Sequence, residues 1–186
     1  MKRSIDLLLC LVCFLIFIIP FLIIAIVIYF VSPGPILFWS NRVGKKNILF
    51  LMPKIRTMQV HTPDVATHLL KDPEKYIIPF GSFLRRSSLD EIPQIWCIIR
   101  GDMSFVGPRP ALHNQKDLIT LRTQFGIHNL LPGLTGTAQI YGRDELPVRD
   151  KVNKDLIYLK NQSLLFDLKI IFITLVRIIL REGVKH

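Results

Sequence analysis

The chain has long apolar runs near both ends and a mixed polar pattern between them. The first run extends from Leu7 to Val31 and is interrupted only by Pro20. At about 25 residues it is long enough to cross a bilayer, for which roughly 20 suffice. The last predicted element, over residues 163–181, is also apolar. Three charged side chains interrupt it: Asp167, Lys169 and Arg177. Because charges inside a bilayer are costly, this pattern predicts an amphipathic helix at the membrane interface.

Three interpretations of the N-terminal run stay open. A cleaved signal peptide is disfavoured, because the run is longer than an ordinary signal sequence and no small-residue cleavage site follows. A straight transmembrane helix is the simplest alternative. A re-entrant helix-break-helix is favoured by Pro20 at the midpoint, since proline removes a backbone donor and bends or breaks a helix. Basic residues on both flanks would also place both ends in the cytoplasm. They are Lys2, Arg3, Arg42, Lys45 and Lys46.

Between the apolar ends the pattern predicts one β-hairpin and several short helices. Strands are indicated over residues 36–42 and 47–55, with a turn at Gly44 and Lys45. Helices are indicated over residues 79–86, 90–100, 112–125 and 150–160. Ser88 is the predicted N-cap of the second of these helices. Residues 61–76 and 101–110 are predicted loops, and a second Gly-rich loop over residues 131–140 is expected to run into a strand.

These elements predict an α/β (α+β) fold in two parts. Residues 1–34 form the membrane-inserted segment, which is re-entrant in the favoured interpretation. Residues 35–186 form a small cytosolic, membrane-associated domain with a short β-hairpin, several helices and interfacial amphipathic helices. The length of 186 residues is that of one domain with an appended segment.

Composition narrows the class of partner. The 24 Lys and Arg residues exceed the 14 Asp and Glu residues and give a net charge of +10, which favours anionic partners. No nucleic-acid recognition pattern is present, so anionic membrane lipids and phosphorylated substrates are the expected partners. Cys10, Cys13 and Cys97 form no disulfide framework, and Cys10 and Cys13 are expected to be small apolar residues of the membrane helix.

The candidate chemistry lies between Arg85 and Pro110. Charged residues are concentrated there: Arg85, Arg86, Asp90, Glu91, Arg100, Asp102 and Arg109. Adjacent carboxylates between arginines suit phosphates and a divalent cation, although acids in the first turn of a helix also complement its dipole without any function. Strand alternation could place Lys54 and Arg56 on one face, where they could hold a phosphate or form an ordinary polar face.

The chain resembles a known family in several motifs that occur in order. They are the apolar segment with its proline, Lys54-Ile-Arg-Thr-Met58, Asp90-Glu91-Ile-Pro-Gln94, Gly101-Asp-Met-Ser-Phe-Val-Gly-Pro-Arg-Pro110, and Pro132-Gly-Leu-Thr-Gly136. Together they resemble the bacterial sugar transferases that are small monotopic phosphoglycosyl transferases. The resemblance covers essentially the whole chain.

The resemblance implies transfer of a phosphosugar from a UDP-sugar to undecaprenyl phosphate at the cytoplasmic face of the bacterial inner membrane, releasing UMP. It implies that Asp90 is a nucleophile forming a covalent phosphosugar intermediate and that Glu91 helps hold Mg²⁺. It also implies that Arg85 and Arg109 contact phosphate, that Lys54 lines the site, and that Pro20 breaks the membrane helix.

One residue departs from the family pattern. The position before the membrane proline is often serine in the family and is Ile19 here, so a hydroxyl that could satisfy freed backbone groups is missing. The motifs do not specify the sugar, the glycoconjugate or the oligomeric state. A non-catalytic basic membrane-binding scaffold is the alternative, and it gives no reason for Asp90 and Glu91 between arginines.

Overall fold

A computed structural model describes residues 1–63, 72–142 and 146–180. Seven α-helices lie in the described part of the chain: α1 Lys2–Val31, α2 Gly81–Arg86, α3 Ile95–Arg100, α4 Lys116–Gln124, α5 Thr137–Ile140, α6 Val148–Lys160 and α7 Leu164–Leu180. Five strands accompany them: β1 Leu37–Val43, β2 Leu49–Ile55, β3 Ser104–Val106, β4 Ala111–Leu112 and β5 Gly133–Thr135. The predicted mixed α/β fold with a hairpin and several helices is confirmed.

The N-terminal apolar run forms a single helix of 30 residues, α1, with Pro20 inside it. The helical backbone continues through Pro20, so the predicted break at this position is not confirmed. Within the described ranges, α1 is the one helix long and apolar enough to cross a membrane. Its outward face is apolar along most of its length, for example at Leu15, Ile19 and Ile26.

The predicted hairpin is confirmed and becomes part of a larger sheet. Strands β1 and β2 pair antiparallel from Leu37 opposite Ile55 to Val43 opposite Leu49, and β4 adds to the other edge of β1. A second, two-stranded sheet joins β3 and β5 in parallel. Strand β3 lies inside the loop predicted over residues 101–110. The second Gly-rich segment runs through the short strand β5 into the helix α5, where a longer strand was expected.

The helix predicted over residues 90–100 is divided. Leu89–Gln94 forms a 3-10 helix and Ile95–Arg100 forms α3. Ser88 is the N-cap residue, as predicted, but its side chain makes no capping hydrogen bond, and its φ of 57° lies in the left-handed region. Helix α4 begins at Lys116, later than predicted, because β4 takes Ala111–Leu112 and a turn follows it. Half of the predicted loop over residues 61–76 lies outside the described residues, and its end is a 3-10 helix, Pro73–Tyr76.

Both halves of α1 pack on the rest of the chain. In the first half, Cys10 is buried with residues of α3, β3 and α7, and Leu9 and Cys13 pack at the edge of this cluster. In the second half, Ile28 is buried with Ile55, Ile78 and Leu84. The packed positions recur every three or four residues, which is the spacing of one helix face. The helix is therefore held against the domain at both ends.

Polar groups fasten the first turns of α1. Lys2 Nζ lies 3.1 Å from the Val106 carbonyl oxygen and 3.0 Å from the Tyr158 hydroxyl, and it forms an ion pair with Asp167. Asp6 is buried and accepts hydrogen bonds of 3.1 Å from the Ser104 hydroxyl and from the Phe105 N–H. The start of α1 is thus attached to β3, α6 and α7.

A buried arginine fastens the other end. Arg56 donates to the Ser32 carbonyl at 2.6 Å and to the Ser32 hydroxyl at 3.1 Å. It also donates to the carbonyls of Pro33 at 3.2 Å and Pro35 at 2.6 Å. The linker that follows α1 contains prolines, which have no backbone N–H. The linker therefore has few donors of its own, and its carbonyls need a donor from another segment. Arg56 supplies that donor and does not face the carboxylates, unlike Lys54.

Replacing Arg56 by methionine should destabilise the protein. The change leaves the carbonyl of the buried Ser32 and those of Pro33 and Pro35 without this donor, and we expect the free energy of unfolding to fall by about 3 kcal/mol. For a chain of this size that corresponds to a decrease in Tm of roughly 6–12 °C. Thermal unfolding in detergent micelles measures it. Arg86→Met, at an exposed position, is the matched control and should unfold near the wild-type temperature. Equal Tm values for both variants would show that the clamp contributes nothing.

Candidate active site

Four separate segments bring the predicted site residues together. Lys54 lies near the end of β2, which runs beside the 3-10 helix that carries Asp90 and Glu91. Arg85 lies in the last turn of α2, and Arg109 follows β3. The residues singled out from the sequence therefore form one cluster, with the exception of Pro20, which lies in α1.

Glu91 is the acceptor at the centre of the cluster. Its Oε1 atom lies 2.9 Å from Lys54 Nζ. The same oxygen lies 3.3 Å and 3.2 Å from Nη1 and Nη2 of Arg109. Two cations therefore converge on one carboxylate oxygen, and Glu91 sets the separation between the lysine and the arginine.

Asp90 is the buried member of the carboxylate pair. Only 7% of its surface is exposed, and its Oδ2 atom lies 3.6 Å from Lys54 Nζ. Burial raises the pKa of Asp90 above its ordinary value, and the neighbouring charge of Glu91 raises it further. Lys54, Arg85 and Arg109 oppose this and favour the ionised form. The helix-dipole explanation for these acids is insufficient, because their partners are cations from other segments.

Thr57 orients Arg85. The Arg85 Nε atom donates to the Thr57 hydroxyl at 2.9 Å. Helix α2 approaches this segment closely: a Cβ atom on Gly81 would lie 2.5 Å from the Thr57 carbonyl oxygen, so only glycine fits there. Burial lowers the pKa of Arg85, and the charge of Asp90 opposes that change. The contact places a guanidinium near Asp90 without a direct ion pair.

The two Gly-rich segments pack against one another and support Arg109. A Cβ atom on Gly107 would lie 2.3 Å from the Leu131 carbonyl oxygen, and one on Gly133 would lie 2.1 Å from the Gly107 nitrogen. Such backbone contact excludes any side chain at either position. The second Gly-rich segment therefore acts as a support for the loop that carries Arg109.

Two polar contacts beside the site have no recognisable signal in the sequence. Arg122, on α4, donates from Nη1 to the Arg109 carbonyl oxygen at 2.8 Å and pairs with the buried Asp155 of α6. Arg42, on β1, donates to the Pro110 carbonyl oxygen at 3.3 Å. Both arginines reach the loop from elements distant in the chain, so local patterns could not identify them.

The donor set of the cluster fits a magnesium ion. Within the described residues no group of three or more His, Cys, Asp or Glu side chains could hold a metal by itself. Asp90 and Glu91 nevertheless provide adjacent carboxylate oxygens, and Mg²⁺ commonly binds one or two carboxylates together with substrate phosphates. The arrangement as a whole combines a buried carboxylate with several cations. It can neutralise a diphosphate and offers one oxygen nucleophile beside it.

Known proteins resemble the chain over most of its length. The chain is 40% identical over 164 residues to the UDP-glucose:undecaprenyl-phosphate glucose-1-phosphate transferase of Xanthomonas campestris pv. campestris, covering 84% of this chain and 34% of that protein. It is 33% identical over 189 residues to the UDP-N-acetylgalactosamine-undecaprenyl-phosphate N-acetylgalactosaminephosphotransferase of Aeromonas hydrophila, covering 99% and 45%. The exopolysaccharide production protein ExoY of Rhizobium meliloti (strain 1021) is 34% identical over 197 residues, covering 98% and 87%.

The chain spans between a third and a half of the first two of these relatives and most of the third. A family model described as bacterial sugar transferase matches residues 1–181, which include α1 and the whole charged cluster. The resemblance inferred from the motifs is confirmed: this chain belongs to the bacterial sugar transferase family.

Proposed function

We propose that this protein transfers a phosphosugar from a UDP-sugar to undecaprenyl phosphate, producing undecaprenyl-diphosphate-sugar and UMP. One observation carries the proposal: a buried carboxylate, Asp90, lies among Lys54, Arg85 and Arg109 in a domain packed on an apolar helix. The names of the relatives support the same reaction class, since two of them are undecaprenyl-phosphate sugar-phosphate transferases. Such a reaction begins the assembly of a glycoconjugate on its lipid carrier.

The reaction proceeds in two displacements at one phosphorus atom. An Asp90 carboxylate oxygen attacks the β-phosphorus of the UDP-sugar, and the bond from that phosphorus to the bridging oxygen breaks. UMP leaves with the bridging oxygen, and an acyl phosphate links Asp90 to the sugar. A phosphate oxygen of undecaprenyl phosphate then attacks the same phosphorus and releases the Asp90 carboxylate. Splitting the transfer in this way replaces one difficult step with two easier ones.

The cations overcome the repulsion between an anionic nucleophile and an anionic diphosphate. Lys54 and Arg109 now converge on Glu91, and they are placed to receive phosphate oxygens beside it. Arg85, which Thr57 orients, contributes its positive charge near Asp90. Bound Mg²⁺ supplies further neutralisation of the diphosphate charge, and Glu91 is the residue we assign to hold it. The buried position of Asp90 strengthens every one of these charge interactions.

The packing of α1 supports a re-entrant arrangement in the membrane. A straight helix of 30 residues is about 45 Å long and would separate its ends across a hydrocarbon core of about 30 Å. Here Lys2 and Asp6 at one end and Ile28 at the other contact the same polar domain. We therefore place both ends at the cytoplasmic face, with residues 1–34 dipping into the bilayer and residues 35–186 at its surface.

Helix α7 lies against the same surface in this arrangement. Its outward positions are apolar, as Leu165, Leu168 and Phe172 show, while Ile170 on the opposite face is fully buried in the core. Lys169 and Arg177 belong at the level of anionic headgroups. Asp90 is thereby kept at the depth of the lipid phosphate, which cannot leave the interface.

Replacing the proposed nucleophile should abolish transfer. Asp90→Asn keeps the shape of the side chain but is too weak a nucleophile to form the acyl phosphate, so UMP release should fall at least 1,000-fold, on the order of 4 kcal/mol in the barrier. The assay combines full-length protein in nanodiscs with Mg²⁺, undecaprenyl phosphate and a panel of UDP-sugars. Without the lipid acceptor, intact-mass spectrometry should detect a phosphosugar adduct on the wild type alone.

Asp72→Asn is the control, because Asp72 is exposed, pairs with Lys75 in another segment and should leave UMP release near wild type. Full activity in Asp90→Asn would show that Asp90 is not the nucleophile. Binding of the wild type to anionic liposomes with no UMP release from any UDP-sugar would favour the scaffold alternative.

The pH dependence of the first displacement should report Asp90. Its pKa is raised by burial and held down in part by Lys54, so the active carboxylate is lost on acidification at a higher pH than for an ordinary aspartate. Lys54→Met removes the opposing charge, and the acid limb of the kcat/KM profile should move to higher pH. Lys75→Met, at an exposed lysine paired with Asp72, should leave the limb unmoved. An unshifted limb in Lys54→Met would contradict the proposed charge coupling.

The two ends of α1 should be accessible from the same side of the membrane. A membrane-impermeant maleimide should label Ser4→Cys and Asn41→Cys in inverted inner-membrane vesicles and neither variant in spheroplasts. The unsubstituted chain is the control for its native thiols, two of which are buried. Labelling of Ser4→Cys in spheroplasts would mean that α1 spans the bilayer.

A further inference from the structure

We propose that Arg122 is a positioning residue for the transfer reaction: it holds the backbone of Arg109 and thereby aims the Arg109 guanidinium at the phosphate site. The proposal rests on the proposed function and concerns a residue outside the charged cluster. The observation behind it is the route of hydrogen bonds from Asp155 through Arg122 to the Arg109 carbonyl.

All three nitrogens of the Arg122 guanidinium donate hydrogen bonds. Its Nε and Nη2 atoms donate to Asp155 Oδ2 at 2.9 Å and 2.6 Å, and its Nη1 atom donates to the Arg109 carbonyl oxygen at 2.8 Å. Arg122 is only 8% exposed and Asp155 is completely buried. Since the guanidinium is planar and two of its nitrogens are fixed on one carboxylate oxygen, the direction of the third is fixed as well.

The loop that carries Arg109 needs hydrogen-bond donors from other segments because of its own sequence. Arg109 lies between Pro108 and Pro110, and neither proline has an N–H with which to fasten the loop. Instead, three successive carbonyls accept hydrogen bonds from outside. The donors are the Gly133 N–H to Pro108 at 2.9 Å, Arg122 to Arg109, and Arg42 to Pro110 at 3.3 Å. Arg122 holds the middle carbonyl, which belongs to the residue that carries the site's guanidinium.

The orientation of this peptide controls the reach of Arg109. A small rotation of the peptide unit is amplified along the arginine side chain, whose guanidinium lies 3.2 Å from Glu91 Oε1. A displacement of about 1 Å in a catalytic site can lower the rate roughly 100-fold. A buried ion pair alone is weak evidence for added stability, so the Arg122–Asp155 pair is better explained by the direction it gives to its third donor.

Arg122→Lys is the central variant. Lysine keeps a positive charge beside Asp155, but its one nitrogen cannot occupy the positions of both Nη1 and Nη2, so the planar fork that fixes the donor toward the Arg109 carbonyl is lost. We expect kcat/KM for UMP release to fall at least about tenfold. In an Arg109→Ala background the same substitution should have almost no further effect, since there is no guanidinium left to aim. In an Arg85→Ala background its tenfold effect should persist, because Arg85 is oriented separately by Thr57.

Asp155→Asn is the matched control. Asparagine keeps a carbonyl oxygen in the place of the carboxylate and leaves the donor from Arg122 to the loop in place, so its loss of kcat/KM should be smaller than that of Arg122→Lys. Thermal unfolding of each variant shows whether the substitution has lowered the stability of the fold. If Arg122→Lys is less active by the same factor with and without Arg109, or is as active as the wild type, the positioning role is wrong.

Amide hydrogen exchange provides a readout that needs no turnover. The Gly133 N–H is bonded to the Pro108 carbonyl, so a loosened loop should raise its exchange rate in Arg122→Lys and not in Asp155→Asn. Unchanged exchange at Gly133 in Arg122→Lys would overturn the proposal even if the wild type released no UMP. Absence of UMP release by the wild type, with the exchange difference present, would overturn the proposed function alone.

Discussion

The structure depends on holding an apolar helix against a polar domain by charged side chains at both of its ends. At the first end, Lys2 and Asp6 bond to β3, α6 and α7; at the second, Arg56 gathers the carbonyls of the following linker. Apolar packing alone has no direction and would allow α1 to slide along the domain, whereas charged groups with fixed partners define one register. The charges therefore decide where the helix lies, and packing makes that position stable.

The same elements that hold the helix also build the site. Lys54 and Arg56 are two residues apart at the end of β2, and one faces the carboxylates while the other faces the linker. Strand β3, whose backbone Asp6 contacts, leads directly into the loop that carries Arg109. A shift of α1 on the domain would therefore move both flanks of the site. In the proposed function, membrane attachment and chemistry therefore share one framework.

Much of the fold and most of the candidate site follow from local sequence signals. Alternation predicts the hairpin, helical periodicity predicts α6 and α7, and the concentration of charge around Asp90 and Glu91 indicates the site. The remaining features depend on distant partners. β3 and β5 have three residues each and pair in parallel across the intervening chain, and Arg122 finds Asp155 33 positions away. Ser88 has the residue type of an N-cap but adopts a left-handed turn that no local preference indicates.

The attachment of Lys2 has a consequence for the order in which the protein is made. Its partner Asp167 lies 165 positions later in the chain, and translation at about 5–20 residues per second separates their appearance by roughly 10–30 s. When α1 has just been made, none of the segments that bury its inner face has yet been synthesised, and the last of them, α7, follows only at the end of that interval. In the proposed membrane arrangement, α1 therefore enters the bilayer first, and the domain completes its folding around a helix that is already inserted.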